Sequence, residues 1–267
     1  MARVDTLPHF LTDVADAIRT KKGTSETIQA SDFDTEIENL PSGGEDISEY
    51  LSSTITGNTT GPSGSSYFPA SAIKKMKNIK ITSSVTNLSY AFQSLGNLTN
   101  ISFSDEINMS NVTNMQGMFQ ACRSLPTIDL SKFNTSNVTI MANLFDRCVM
   151  LSGIIFGNNF DTSNVTVLAS MFNSCRALTS LNLSNFNTSK VTNMNYMFNG
   201  CTSLSHLDIR NFTFDLVTSN YYDVFTGIPA NCEIIVKSQT EKDWVLARRS
   251  DLTNVKTVAE YEAEQNA

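Results

Sequence analysis

The side chains best able to do chemistry gather late in this sequence: His206, Asp208 and Arg210 at alternate positions, with Ser184 about one repeat earlier. A hydroxyl, an imidazole and a carboxylate are the parts of a nucleophilic triad, which also needs a pocket and a group that orients the base. Alternate residues of a strand lie on one flat face, so the pattern lacks what acyl transfer requires. Asp129 and Asp208 could suggest the paired carboxylates of a glycosidase. They fall three repeats apart, roughly 14 Å at strand spacing, beyond the separation of about 6.5–9.5 Å used in inverting glycoside hydrolysis. Cys122, Cys148, Cys175 and Cys201 recur at one fixed place, but Leu95 holds that place in the first copy, which marks it as inward-facing. Adjacent coils stand close enough for some pairs to cross-link; leucine's presence there without a partner favours four buried free thiols. No CxxC occurs and His9 and His206 lie in different regions, so no catalytic, cofactor or metal set is expected.

What positions these residues is a repeat. Copies begin at Val85, Val112, Val138, Val165 and Val191, in steps of 27, 26, 27 and 26 residues, and Phe92, Phe119, Phe145, Phe172 and Phe198 keep the same beat. A period in this range means stacked units in a solenoid rather than one globular core. Within a copy, Val191–Phe198 has apolar residues at helical spacing, predicting a short helix or helical turn. Leu204–Phe212 alternates at Leu207 and Ile209 as a strand does. Neighbouring strands then pair in parallel along one face. Met115, Met118, Met141, Met171, Met194 and Met197 fall beside the repeat phenylalanine and read as core filler. The sequons at Asn111, Asn137 and Asn164 recur with the period, so their Asn and Thr are expected to satisfy backbone groups at a turn.

If the apolar strand residues point inward, three columns project outward. They read Asn100, Thr127, Gly153, Ser180, His206; then Ser102, Asp129, Ile155, Asn182, Asp208; then Ser104, Ser131, Gly157, Ser184, Arg210. The candidate binding face is Thr127, Asp129, Ser180, Asn182, Ser184, His206, Asp208 and Arg210, a flat panel of small hydrogen-bonding groups with one charged corner. It is suited to touching a cell-surface protein or glycan, although it has no aromatic platform for a sugar. The alternative is a solvated sheet face with no ligand.

Three regions separate. Residues 1–45 carry two short amphipathic patterns, Phe10, Leu11, Val14, Ala17, Ile18 and then Phe33, Ile37, Leu40, followed by the linker-like PSGGED. Two short helices cannot bury a sizeable core alone, so this segment is expected to dock on a partner or on sister chains. Residues 46–236 form the solenoid with its N-terminal cap. Residues 237–267 form a capping helix bearing the only tryptophan, Trp244, with an acidic tail from Ala259 expected to fray. The chain carries net charge -7 with 17% charged residues, below the roughly 25% of an average domain. With no basic stripe, nucleic acid is excluded as a partner. No apolar run reaches the roughly 20 residues that span a bilayer, and the N-terminus lacks the layout of a secretory signal.

The motifs MFNGCTSLSHLDIRNF and FNTSNVTIMANLF resemble the BspA-like branch of leucine-rich repeats, over roughly Ser84–Val236. That resemblance implies a right-handed α/β solenoid, with parallel strands on one face and short helices on the other, and an adhesion role at bacterial or protozoan surfaces. The flanks are similar to something narrower. LTDVADAIRTKKGTSETIQASDFDTEIENLP and CEIIVKSQTEKDWVLARRSDLTNVKTVAEYE resemble the ends of tail proteins from phages and prophages of Gram-positive bacteria. This implies a virion protein made in the host cytoplasm, joined to other tail proteins through its N-terminal segment, homo-oligomeric, and in contact with the host surface. A bacterial cell-surface adhesin of the same repeat family is the alternative.

Overall fold

In the computed structural model, the described residues are 54–55 and 74–267. The expected helices and linker of residues 1–45 lie outside them. The chain winds as a stack of coils, each contributing one short strand. These are β1 (Thr54–Ile55), β2 (Lys75–Ile81), β3 (Asn100–Phe103), β4 (Thr127–Leu130), β5 (Gly153–Phe156), β6 (Ser180–Asn182), β7 (His206–Ile209) and β8 (Glu233–Val236). Helix α1 (Gln239–Leu246), strand β9 (Val255–Thr257) and helix α2 (Val258–Gln265) follow. Every pairing is parallel and joins successive strands, as the repeat period demands.

On the opposite face the spacing that predicts short helices yields turns. Alternate amides donate along the stack: Leu88 N to Asn114 O, Tyr90 N to Gln116 O and Phe92 N to Met118 O, each 2.8 Å. The amides between them close turns within their own coil, Ala91 N to Leu88 O and Gln93 N to Tyr90 O. This alternation needs two left-handed residues per coil. They fall at Tyr90 and Ser94, Gly117 and Ala121, Asn143 and Arg147, Ser170 and Ser174, and Tyr196 and Gly200, with φ between 55° and 71°. The apolar residues still face inward, which is why periodicity reads the same for a helix and for these turns. Parallel bridges run unbroken through Asn87, Asn114, Ile140, Val167, Asn193 and Asn220.

Between the two ladders lies an aromatic spine. Phe92, Phe119, Phe145, Phe172, Phe198 and Phe225 stack with ring centroids 5.4–5.9 Å apart and planes within 17° of parallel. Offset stacking of this kind adds to the burial of each ring. The spine ends at α1, where Trp244 meets Phe225 edge-on at 6.4 Å, lies flat on Phe214 at 3.9 Å and carries the Arg248 guanidinium 3.5 Å over its ring. Arg249 pins the same cap by donating to the carbonyls of Phe225 and Ile228. The acidic tail does not fray: β9 pairs with β8, and Thr257 opens α2 with a capping box shared with Glu260.

The strand ladder is less regular than the turn ladder. It falls into three runs, β1–β3, β4–β5 and β6–β9. Both breaks follow a 27-residue coil, whose extra residue sits just past the strand, in Asp105–Glu106 after β3 and Asn158–Asn159 after β5. Phe172→Ala, which removes a fully buried ring from the spine, should destabilise the chain by about 3–5 kcal/mol, measured as a drop in urea-unfolding free energy.

Candidate functional site

Strand alternation sets the candidate face. In β4 the pattern is exposed–buried–exposed–buried, so Thr127 and Asp129 face solvent while Ile128 and Leu130 enter the core. In β6, Ser180 and Asn182 face out around Leu181. Register sets Ser180 beside His206 and Asn182 beside Asp208. Thr127 and Asp129 lie beside Gly153 and Ile155, on the other side of the break between β5 and β6. The structure therefore gathers Ser180, Asn182, His206 and Asp208 on one continuous sheet, with Ser184 and Arg210 just past its strands, and leaves Thr127 and Asp129 on another. Ile155, 58% exposed, is the apolar member of the face.

The second column also has a backbone duty. Asp129, Asn182 and Asp208 each accept the amide two residues on, from Ser131 at 2.8 Å, Ser184 at 2.9 Å and Arg210 at 3.1 Å. These Asx turns end the strand. Hydrogen bonds from Ser131 hold the Asp129 carboxyl below the usual carboxylate range. Ser184 is half-buried, and its carbonyl accepts the side-chain amide of Asn211.

The charged corner departs from the expected panel. Asp208 is not exposed: its side chain retains 4% of its accessible area, and it takes a forked ion pair from Arg210, with Nη2 2.7 Å and Nε 2.9 Å from Oδ2. Arg210 lies 5.8 Å from the ring centroid of Tyr261 on α2. His206 Nδ1 is 2.7 Å from Glu233 Oε2, and Glu233 also accepts from Lys256, which reaches Glu264. Hydrogen bonds from Lys256 and, after it, His206 keep Glu233 ionised below its usual range. Strand β9 and helix α2 thus tie these charges into the cap rather than present them. Repeat spacing gave no sign of this cover, because Glu233, Lys256, Tyr261 and Glu264 lie beyond the last full copy. The T-V-A-E of Thr257–Glu260 was the available signal for the helix that supplies it. Ser184, His206 and Asp208 form no triad: the imidazole's partner is Glu233, and the carboxylate's is Arg210.

Two side-chain ladders run up the corner of the coils. Asn111, Asn137 and Asn164 donate their amides to the carbonyls of Ser83, Ser110 and Ser136 in the preceding coil. Thr113, Thr139, Thr166 and Thr192 donate in the same way to Thr86, Thr113, Thr139 and Thr166. The sequon residues are therefore occupied with backbone groups. All five cysteines are free and buried. Cys122, Cys148, Cys175 and Cys201 each point the thiol at the phenylalanine carbonyl of the preceding coil, at 3.0–3.2 Å. No set of three metal-ligating side chains converges among the described residues, and no helix among them is long and apolar enough to cross a membrane.

A family model described as Mycoplasma protein of unknown function, DUF285, matches residues 65–156 and 128–237. The chain belongs to that family. The match spans the coils from β2 to β8 and agrees with the BspA-like repeat reading of the sequence. No curated protein matches the chain.

Burial pushes the thiols of Cys122, Cys201 and Cys232 up to about 12, and those of Cys148 and Cys175 well above the ordinary value. A raised thiol pKa stabilises the fold fully below the ordinary value of 9.0. That contribution is lost as pH rises toward about 12, because the unfolded chain ionises first. Native protein should resist maleimide until it unfolds, and its melting temperature should fall steadily above about pH 9. Rapid labelling of the folded chain at neutral pH would contradict the burial.

Proposed function

We propose that this chain is a non-enzymatic recognition protein of a phage tail, whose solenoid contacts a host cell-surface protein or glycan. Residues 1–45 would attach it to other virion tail proteins and to sister copies, and the virion would be assembled in the host cytoplasm. The observation that carries the recognition role is the exposed face of β4–β6. Thr127 on β4, and Ser180 and Asn182 on β6 beyond the sheet break, turn neutral hydrogen-bonding groups toward solvent. Multiple copies on one particle would turn weak contacts of this kind into firm attachment. The tail assignment is supported by the resemblance of both flanks to tail proteins of Gram-positive phages. Ionisable groups that would serve a reaction are committed elsewhere, His206 to Glu233 and Asp208 to Arg210.

The family is described from Mycoplasma, a cellular source, which favours a second reading, a bacterial surface adhesin using the same face. Gold-labelled antibody on purified phage particles and on cells separates the two: label on tails supports the first, label confined to cell envelopes the second.

Thr127→Lys and Ser180→Lys together should cut binding of the labelled full chain to host cells about tenfold or more, with little change in melting. Unaltered binding removes this face from consideration. On gel filtration the full chain should elute as a larger assembly than residues 47–267. Equal subunit numbers in both would exclude the joining of sister copies through the N-terminal segment.

A further inference from the structure

The two 27-residue coils place their extra residue at the same corner, and the outcome differs. After β3 the longer corner is acidic and pairs with lysines from flanking coils, Lys132 to Asp105 at 2.8 Å and Lys80 to Glu106 at 2.6 Å. After β5 the longer corner carries Asn158–Asn159 instead and holds a concavity of about 520 Å³. Three coils line it: Asn134 from the one before, Asn158, Asn159, Phe160 and Asp161 from the middle, and Asn185 from the one after. Gly157 brings the coils together at its edge, where a Cβ would stand 2.3 Å from the Ser131 carbonyl oxygen. The insertion that breaks the strand ladder therefore also makes the hollow.

Its lining defines its ligand. Asn134, Asn158, Asn159 and Asn185 are exposed neutral amides; each offers two donors, and all but Asn134, whose oxygen accepts the Ser136 amide at 3.1 Å, an acceptor as well. Asp161, the single carboxylate, already accepts the amide of Ser163 at 2.8 Å and its hydroxyl at 3.0 Å. With no cation in the lining, an anion finds no counter-charge. With one engaged carboxylate, a divalent cation finds too few oxygen ligands. Convergent neutral donors and acceptors suit a neutral polyol. The volume falls in the range of small-ligand sites, about 300–1,000 Å³.

We propose that this corner hollow is a carbohydrate-binding site, taking one or two neutral pyranose rings through the amides of Asn158, Asn159 and Asn185. It goes beyond the recognition role of the sheet face, from which it is separated by the turn after β5, and it commits the glycan part of that role to named residues. The test is a titration of the full, ¹⁵N-labelled chain with methyl glycosides of glucose, galactose and mannose and with N-acetylglucosamine, at millimolar concentrations. At least one should shift the side-chain amide signals of these asparagines selectively, and Asn159→Ala with Asn185→Ala should weaken it about tenfold at unchanged melting temperature. Silence of these amides toward all four sugars overturns the proposal, as does a response to calcium chloride or phosphate in their place. Sugar binding undiminished in the double variant overturns it too. The lysine variants of the sheet face are read on cells, so either idea can fail while the other stands.

Discussion

Hydrogen bonding along the stack, rather than within each coil, is the constraint on which the rest of this structure depends. A coil of 26 or 27 residues cannot satisfy its own backbone. Its amides must find carbonyls in the coils above and below, in both the strand ladder and the turn ladder. That demand fixes the two left-handed residues per coil, which only Gly117 and Gly200 meet without side-chain strain among the copies from Val85 to Val191. It also fixes the side chains that help. Asparagine side chains complete carbonyls that backbone amides leave open, while threonine hydroxyls and cysteine thiols add a second donor to carbonyls such as those of Thr113 and Phe119, which already accept an amide. The strict recurrence of Val, Phe and Cys is the packing consequence, since residues in register stack on copies of themselves.

The same constraint separates what was legible in the sequence from what was not. Period, inward cysteines and the outward residues of β4 and β6 all follow from identities repeated at fixed spacing, and the structure places them accordingly. The nature of the second face did not follow. Val191, Met194, Met197 and Phe198 point inward whether the backbone closes on itself or on its neighbour, and only the direction of the amides distinguishes the two. The charged corner was misjudged for another reason. Asp208 occupies the same column as Asn182, but the Arg210 guanidinium folds onto it, and β8 beside it lies outside the repeat. A repeat argues about its interior copies, and its ends obey different neighbours.

Local departures from the repeat carry most of the individuality of the surface. The extra residue of two coils leaves the turn ladder intact and interrupts only the strand ladder. One corner pairs its carboxylates with Lys80 and Lys132, and the other forms a hollow among asparagines. At this one corner an extra residue is absorbed outside the turn ladder, and the side chains it brings decide what surface results.

The separate turn ladder has a consequence for descent. Because each coil answers only to the ones directly above and below, unequal crossing-over between gene segments can add or delete a whole coil and leave every remaining donor facing an acceptor. Lineages can lengthen or shorten such a rod, and diversify its corners, without re-solving the interior.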